Sequence, residues 1–431
     1  MDLNSTGRGT SVMLSDDPVS VTDHLSAGHQ RLVHRLCTLL EDDEPGPILI
    51  TGDWGSGKTS ILRVVQGLMD KRNQVASKPT RTAFFEAWHY ECGSGLLPAL
   101  LRCLWEASPH GNSEHDNSTY DRWHMLWRCA AIASSKAVPL LAASFGLSPI
   151  TELAKTVSPK SLSDDFKSLE ATPHTPPLDA VAELRRQFSA FVNEAWPDDT
   201  PIVFVDDLDR CSPEGAVSLL DGLRLLVAGQ TGLRCRFVVA LDREVLVQAV
   251  TRKFAGLPHF DGNRYLEKIF PFELYVPTPD RTEAAHIVDR LLTHSGIRRE
   301  QFEALAGALA DPVFANPRLM KRAINTFRLV SISGDDPDRT VDSDVVLAHW
   351  IVATRRWPTL RRLLQRRDDS YWINMARHLQ DASAISDPEA HALLSEPGVL
   401  VWLRSVGLAE GDQKSVARLR RADDRLRRLG L

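Results

Sequence analysis

The apolar run Ile48-Leu49-Ile50 passes almost directly into Gly52-Asp53-Trp54-Gly55-Ser56-Gly57-Lys58-Thr59. That spacing is G-x-x-x-x-G-K-[ST], a phosphate-binding loop that forms between a β-strand and an α-helix. Gly52, Gly55 and Gly57 let the backbone turn tightly and carry its N–H groups to phosphate oxygens. Lys58 can then reach the β- and γ-phosphates, and the Thr59 hydroxyl can hold Mg²⁺. The next residues, Ser60 to Val65, read as a helix whose positive end faces the phosphates. The expected nucleotide-binding set is therefore Gly52, Gly55, Ser56, Gly57, Lys58, Thr59 and Ser60.

A second stretch completes such a site. Ile202-Val203-Phe204-Val205 is an apolar strand tipped by Asp206-Asp207-Leu208-Asp209-Arg210. At the C-terminal edge of a parallel sheet, Asp206 is placed to coordinate Mg²⁺ through water. Asp207 is the candidate to orient or deprotonate the attacking water, with Asp209 a weaker candidate for either task. A solvated turn of acids capping the next helix is the bland alternative. The phosphate loop disfavours it, because both halves of one Mg²⁺-nucleotide site are then present. The cofactors expected are ATP and Mg²⁺.

Around these motifs the chain reads as α/β. Ala83 to Trp88, Pro201 to Val205, Arg236 to Leu241 and Phe272 to Val276 are continuous apolar strands without alternation. Helical spacing separates them: Val19 to Leu40, Leu96 to Trp105 and Val181 to Ala195. That order predicts a mostly parallel sheet covered on both faces, hence three layers. Beyond Pro277 the pattern is helical to the end. The 431 residues have room for about three domains, and the net charge of −5 sets up no global field for nucleic acid or acidic membrane. The six cysteines form no C-x-x-C pair and no zinc spacing, which suits reduced thiols in a cytoplasmic protein. Met1 to Asp17 reads as a flexible tail. Ala137 to Thr151, broken by Pro139, Gly146 and Pro149, is too short for a transmembrane span, which leaves peripheral membrane attachment open.

The phosphate loop, Phe85-Glu86-Ala87-Trp88-His89-Tyr90-Glu91 and Asp206 through Glu214 together resemble the KAP family of P-loop NTPases. Tyr265-Leu266-Glu267-Lys268-Ile269-Phe270 and Asn316-Pro317-Arg318 through Asn325 agree with it. The likeness covers roughly Asp17 to Pro358. The family includes bacterial phage-exclusion proteins and an animal membrane scaffold. It implies an additional-strand P-loop ATPase core (18–280, with a helical insertion at about 121–178), a helical lid (281–365) and a C-terminal helical region (366–431). It also implies that Arg318 reaches from the lid toward the γ-phosphate, where its planar charge can distinguish triphosphate from diphosphate. The alternative for Arg318 is a plain helix-start residue. Asp242-Arg243 would sit where related ATPases keep a phosphate-sensing polar residue, or else Asp242 caps a helix. Two departures stand out: family members often carry Asn in place of Glu86, and many carry membrane helices between the two nucleotide motifs.

Other candidates are weighed as structural. Arg252, Lys253 and Arg264 are conceivable fingers for a neighbouring subunit, with surface charge the favoured explanation. Trp88 and Tyr90 are expected in core and rim packing. The Arg355 to Arg367 run, with Trp357, Tyr371 and Trp372, is read as a solvated helix face over core aromatics, so nucleic acid is not favoured as a partner. The function expected is an ATP-hydrolysing conformational switch with Lys58, Asp207 and Arg318 as catalytic residues. By family likeness its setting is anti-phage defence, acting on an unknown protein partner or through self-assembly. The rivals are an ATP-gated scaffold with little turnover and a small-molecule kinase.

Overall fold

The computed structural model describes residues 13–41, 46–75, 82–91, 95–108, 177–227, 233–255, 260–294, 302–332, 340–377, 387–406 and 413–431. Most of the expected insertion at 121–178, including Ala137 to Thr151, lies outside them.

The strands are β1 (Ile48–Thr51), β2 (Thr82–Glu86), β3 (Ile202–Asp206), β4 (Arg236–Leu241) and β5 (Phe272–Tyr275). They form one parallel sheet in the order β2-β3-β4-β1-β5. The additional strand is β4, which separates the phosphate-loop strand from the acid-tipped strand. Strands β1, β3 and β4 carry apolar runs because each of their faces is covered, whereas the edge strand β5 is partly exposed. Ile48, Ile50, Ile202, Phe204, Val238 and Ala240 pack under α1 (Ala27–Glu41) and α2 (Lys58–Val75). Their neighbours Leu49, Val203, Val205, Val239 and Leu241 pack on the other side. There they meet α3 (Leu96–Ala107), α4 (Pro177–Ala195), α5 (Pro213–Val227), α6 (Arg243–Lys253) and α7 (Gly262–Glu267). Side chains alternate between faces along each strand, so both registers must be apolar.

Two boundaries differ from the sequence reading. β2 ends at Glu86, and Ala87–Tyr90 is a 3₁₀ turn, because the last paired position is Glu86 opposite Asp206. The helix expected from Val19 begins only at Ala27. Ahead of it the Val19 N–H donates to Ser60 Oγ, and the Arg290 guanidinium donates to the carbonyls of Asp23 and Leu25. Those bonds hold the backbone off the α-helical path, with a 3₁₀ turn at Thr22–His24.

Helices α8 (Arg281–His294), α9 (Glu303–Leu309), α10 (Pro317–Ile332), α11 (Val341–Arg356) and α12 (Pro358–Arg366) follow the sheet. The chain continues through α13 (Asp369–Arg377), α14 (Pro388–Ser395), α15 (Val399–Ser405) and α16 (Gln413–Arg428). One apolar cluster runs through them from Ala284 to Leu426, with Trp350, Trp357 and Trp402 at its centre. Leu14 joins it, and its backbone N–H and carbonyl both bond the Asn325 side chain. The end of the expected tail is therefore fastened to α10 rather than loose. Among the described residues no helix is long and apolar enough to cross a membrane.

Trp350 is fully buried, and its Nε1–H donates to Asp423. Trp350→Ala leaves a large void and strips one hydrogen bond from the buried Asp423 carboxylate, which keeps those from Arg361 and Gln365. It is expected to lower stability by about 3–5 kcal/mol, measured by urea unfolding followed by circular dichroism. An unchanged midpoint would contradict this account of the helical core.

Candidate nucleotide site

The phosphate loop turns where glycine is required. Gly55 and Gly57 have φ of 84° and 104°, a region that costs residues with a Cβ. Space is as restrictive at Gly55, where a Cβ would lie 2.8 Å from Arg318 Cβ and from Asn316 Oδ1. The loop is thus bare where the start of α10 rests on it.

Lys58 is buried, and its Nζ donates to the carbonyls of Gly52 (2.7 Å) and Asp53 (3.2 Å). The ammonium is therefore held inside the loop's own curve. The Thr59 hydroxyl and the backbone N–H of Asp207 lie beside the Asp206 carboxylate and favour its ionised form. α2 and β3 thus meet across the end of β4. Asp206 is 2% exposed, and burial pushes its carboxyl up to about 6 against the opposing influence of the Thr59 hydroxyl. Its Oδ2 is buried with no hydrogen-bond partner. A hydroxyl beside an unsatisfied carboxylate oxygen suits Mg²⁺, a hard cation that takes few protein ligands and keeps water and phosphate oxygens. Among the described residues no cluster of three or more His, Cys, Asp or Glu is placed to hold a metal ion.

Asp207 adopts φ 56°, the only positive value at a non-glycine among the described residues. Strain of this kind persists where surroundings enforce it. Here the Cys211 thiol donates to the Asp207 carbonyl, and Arg210 Nε lies 2.9 Å from its Oδ1. Burial raises the Asp207 carboxyl, while Arg210 opposes the shift. Asp209 also borders the nucleotide cavity, and its Oδ2 accepts the Asp242 N–H at 3.1 Å, which ties β3 to β4. Glu91 accepts the Ser212 N–H and so joins the turn after β2 to the start of α5.

The Asn316-Pro317-Arg318 stretch has a division of labour. Asn316 Oδ1 caps α10 by accepting the N–H groups of Arg318 and Leu319, and its Nδ2 donates to the Trp54 carbonyl at 2.9 Å. Arg318 projects over the Trp54 ring (4.8 Å) and lies 3.9 Å from Asp16. Its charge is felt at Asp207. A cavity of about 480 Å³ brings together Gly55, Gly57, Lys58, Thr59, Ser60, Asp206, Asp207 and Arg318. Gly52 and Ser56 stand behind its wall: a Cβ on Gly52 would meet Ser56 Oγ and Val276.

Residues that the sequence reading did not place there also line the cavity: Asp16, Asp17, Glu86, His89 and Lys321. Asp16 pairs with Arg322 at 2.7 Å, and Lys321 donates to the Asp17 carbonyl. No sequence signal marks Asp16, because its partners lie some 300 residues away. Other candidates resolve as structural. Asp242 caps α6 by accepting the N–H groups of Glu244 and Val245, and Arg243 pairs with Glu273. Lys253 is no surface charge: it is half-buried, 3.9 Å from the fully buried Asp221, which also accepts the Tyr265 hydroxyl. Tyr90 stacks on Phe85 at the rim, whereas Trp88 is half-exposed, outside the core, with Arg210 over its ring. In the basic C-terminal run Arg361, Arg362 and Arg367 pair with Asp423, Glu389 and Asp387.

Residues 30–332 match the KAP family P-loop domain. The chain belongs to the KAP family. The matched region ends with α10, so it takes in the start of that helix on the phosphate loop. No curated protein matches the sequence. Among solved structures, the Walker-type ATPase of Pyrococcus abyssi aligns at TM-score 0.37 and 13% identity, over 94% of this chain and 98% of that one. The ORC2 protein of Aeropyrum pernix, solved in ADPNP–ADP complexes, aligns at TM-score 0.41 and 12% identity, over 96% and 97%.

The Asp206 carboxyl ionises at higher pH in the folded chain than its ordinary 3.8. The folded state therefore binds the extra proton between about pH 4 and pH 6, and that stabilisation is lost as pH rises through 6. Asp206→Asn removes the cost of the buried charge. At pH 8 the nucleotide-free variant is expected to exceed wild type in stability by on the order of 1–3 kcal/mol, the gap closing toward pH 4. Thermal unfolding at the two pH values checks this, and equal stabilities at pH 8 would refute it. Asp242→Ala is expected to cost about 1 kcal/mol through the lost cap, with ATP affinity unchanged by equilibrium titration.

Proposed function

We propose that this KAP-family chain binds Mg²⁺-ATP across the phosphate loop and the Asp206-Asp207 strand end, and hydrolyses it to drive a lid movement. The observation that carries the reading is the single cavity in which Lys58 and Thr59 stand opposite Asp206 and Asp207, the two halves of the site. Backbone N–H groups from Gly55 to Ser60 would cradle the phosphates, and Lys58 would exchange its loop carbonyls for β- and γ-oxygens. Thr59 and Asp206 would hold Mg²⁺, directly and through water. The metal supplies charge neutralisation on the β- and γ-phosphates. Asp207 would orient the attacking water.

Arg318 is the link to the lid. Asn316 clamps α10 to the loop, so a change in the charge that Arg318 faces becomes a change in helix angle. A wider cleft of about 1010 Å³ opens beyond Trp54 and Arg318. Asp53, Asp242 and Glu244 line one wall of it, and Arg322, Arg355 and Arg361 line the other. Oppositely charged walls favour closure. Arg318 now lies near Asp16, and a γ-phosphate would offer it a stronger partner. The output is a changed interface for a protein partner or a second copy. A setting in phage defence is the expectation that family likeness carries.

One observation favours the scaffold reading: Asp207 is already engaged by Arg210, which suits slow or absent turnover. Single-turnover phosphate release from purified protein separates the two. Wild type is expected to release phosphate in a Mg²⁺-dependent way, with Lys58→Ala weakening ATP binding at least tenfold and Asp207→Ala binding normally. ATP binding without any release would leave the scaffold.

A further inference from the structure

Glu86 is the last residue of β2, and it is paired in register with Asp206. Register partners on neighbouring parallel strands point to the same face about 4.8 Å apart. The Glu86 carboxylate therefore stands beside the metal-side carboxylate, on the face that carries α2 and the phosphate loop. Each of its oxygens is held. Arg63 lies 2.6 Å from Oε1, and His89 Nδ1 lies 3.0 Å from Oε2. Arg63 is fixed in turn, with its guanidinium 3.5 Å over the Phe84 ring. Since Arg63 stands on the helix that begins at Lys58, the carboxylate and the phosphate loop are braced as one unit.

The sheet does not need this arrangement. β2 could end on any residue that satisfies its backbone, yet a carboxylate is oriented from both sides at the rim of the cavity. Its charge also reaches Asp207, so the two acids flank one volume beside Asp206. They differ in how they are held. Asp207 is drawn toward Arg210 on a strained backbone. Glu86 is aligned from the phosphate-loop side, and His89 leads from it to solvent.

We infer that Glu86 is the catalytic carboxylate that receives the proton of the attacking water, with Arg63 positioning it and Asp207 sharing the water's orientation. The water oxygen bonds to the γ-phosphorus as the bond from that phosphorus to the β,γ-bridging oxygen breaks. The electron pair leaves with ADP. The water proton goes to Glu86 and on to solvent at the His89 side, so ATP and water give ADP, phosphate and a proton. This assignment rests on the hydrolysis reading above.

Glu86→Gln keeps shape and hydrogen bonding but removes the proton acceptor. It is expected to lower kcat by at least about 100-fold while ATP affinity and thermal unfolding stay at wild-type values. Arg63→Lys, which keeps the charge but loses the fixed plane, is expected to lower kcat by about tenfold with KM unchanged. Steady-state kinetics, titration with a fluorescent ATP analogue and thermal melts on wild type, both variants and Asp207→Asn supply the readings. Wild-type kcat in Glu86→Gln overturns the inference alone, as does a kcat loss matched by an equal loss of ATP affinity. Wild type that binds ATP but releases no phosphate overturns the hydrolysis reading and this inference with it.

Discussion

The approach of the Thr59 hydroxyl to the Asp206 carboxylate spans the inserted strand β4 and brings the start of α2 to the tip of β3. Everything at the site is placed relative to it. Adjacent strands lie about 4.8 Å apart, so only the loop arching over the end of β4 can bring a residue of α2 to β3. That contact requires a buried carboxylate with one oxygen unsatisfied. A stability-optimised core would avoid such a group, because burying an unpaired charge is costly. Its retention at the C-terminal edge of a parallel sheet is the usual mark of a site that trades stability for ligand binding.

The helical part is tied to that edge by few, short-range contacts. Asn316 caps its own helix and grips the loop at the Trp54 carbonyl. Gly55 leaves room for it, since a side chain there would collide with Asn316 and Arg318. On the far side of α10, Asn325 holds both backbone groups of Leu14, and Asp16 pairs with Arg322. The segment from Leu14 to Val19 therefore runs along the cavity from the helical core to Ser60 at the start of α2. Helix α10 is gripped from two directions by groups that also border the phosphate cradle. Such an element can take up a change at the loop as a rotation.

Much of the fold was legible because the parallel sheet buries both faces. Ile202 to Val205 and Phe237 to Leu241 had to be apolar at every position, and a run of that kind is read directly. Phosphate-loop chemistry was legible for a different reason: its requirements are local, so spacing alone carries them. Glu86 and Asp16 were not read as site residues. One acts through a strand register and the other through a contact across most of the chain, and neither leaves a local pattern. Lys253 failed in the same way, since its partner Asp221 is on another helix.

The order of strands and helices, the phosphate loop and the acidic strand tip were fixed by local chemistry, because backbone bend, helix start and apolar run each depend on a few adjacent residues. Tertiary structure alone decided which carboxylates face one another, what holds Arg318, and that Leu14 and Asp16 lie against α10. Those depend on strand register and helix docking, where burial and charge are set by residues far apart in the chain. Asp206, Asp207 and Asp209 are near-identical neighbours in sequence. One is buried against Thr59, one is strained against Arg210, and one bonds a backbone N–H at the end of β4.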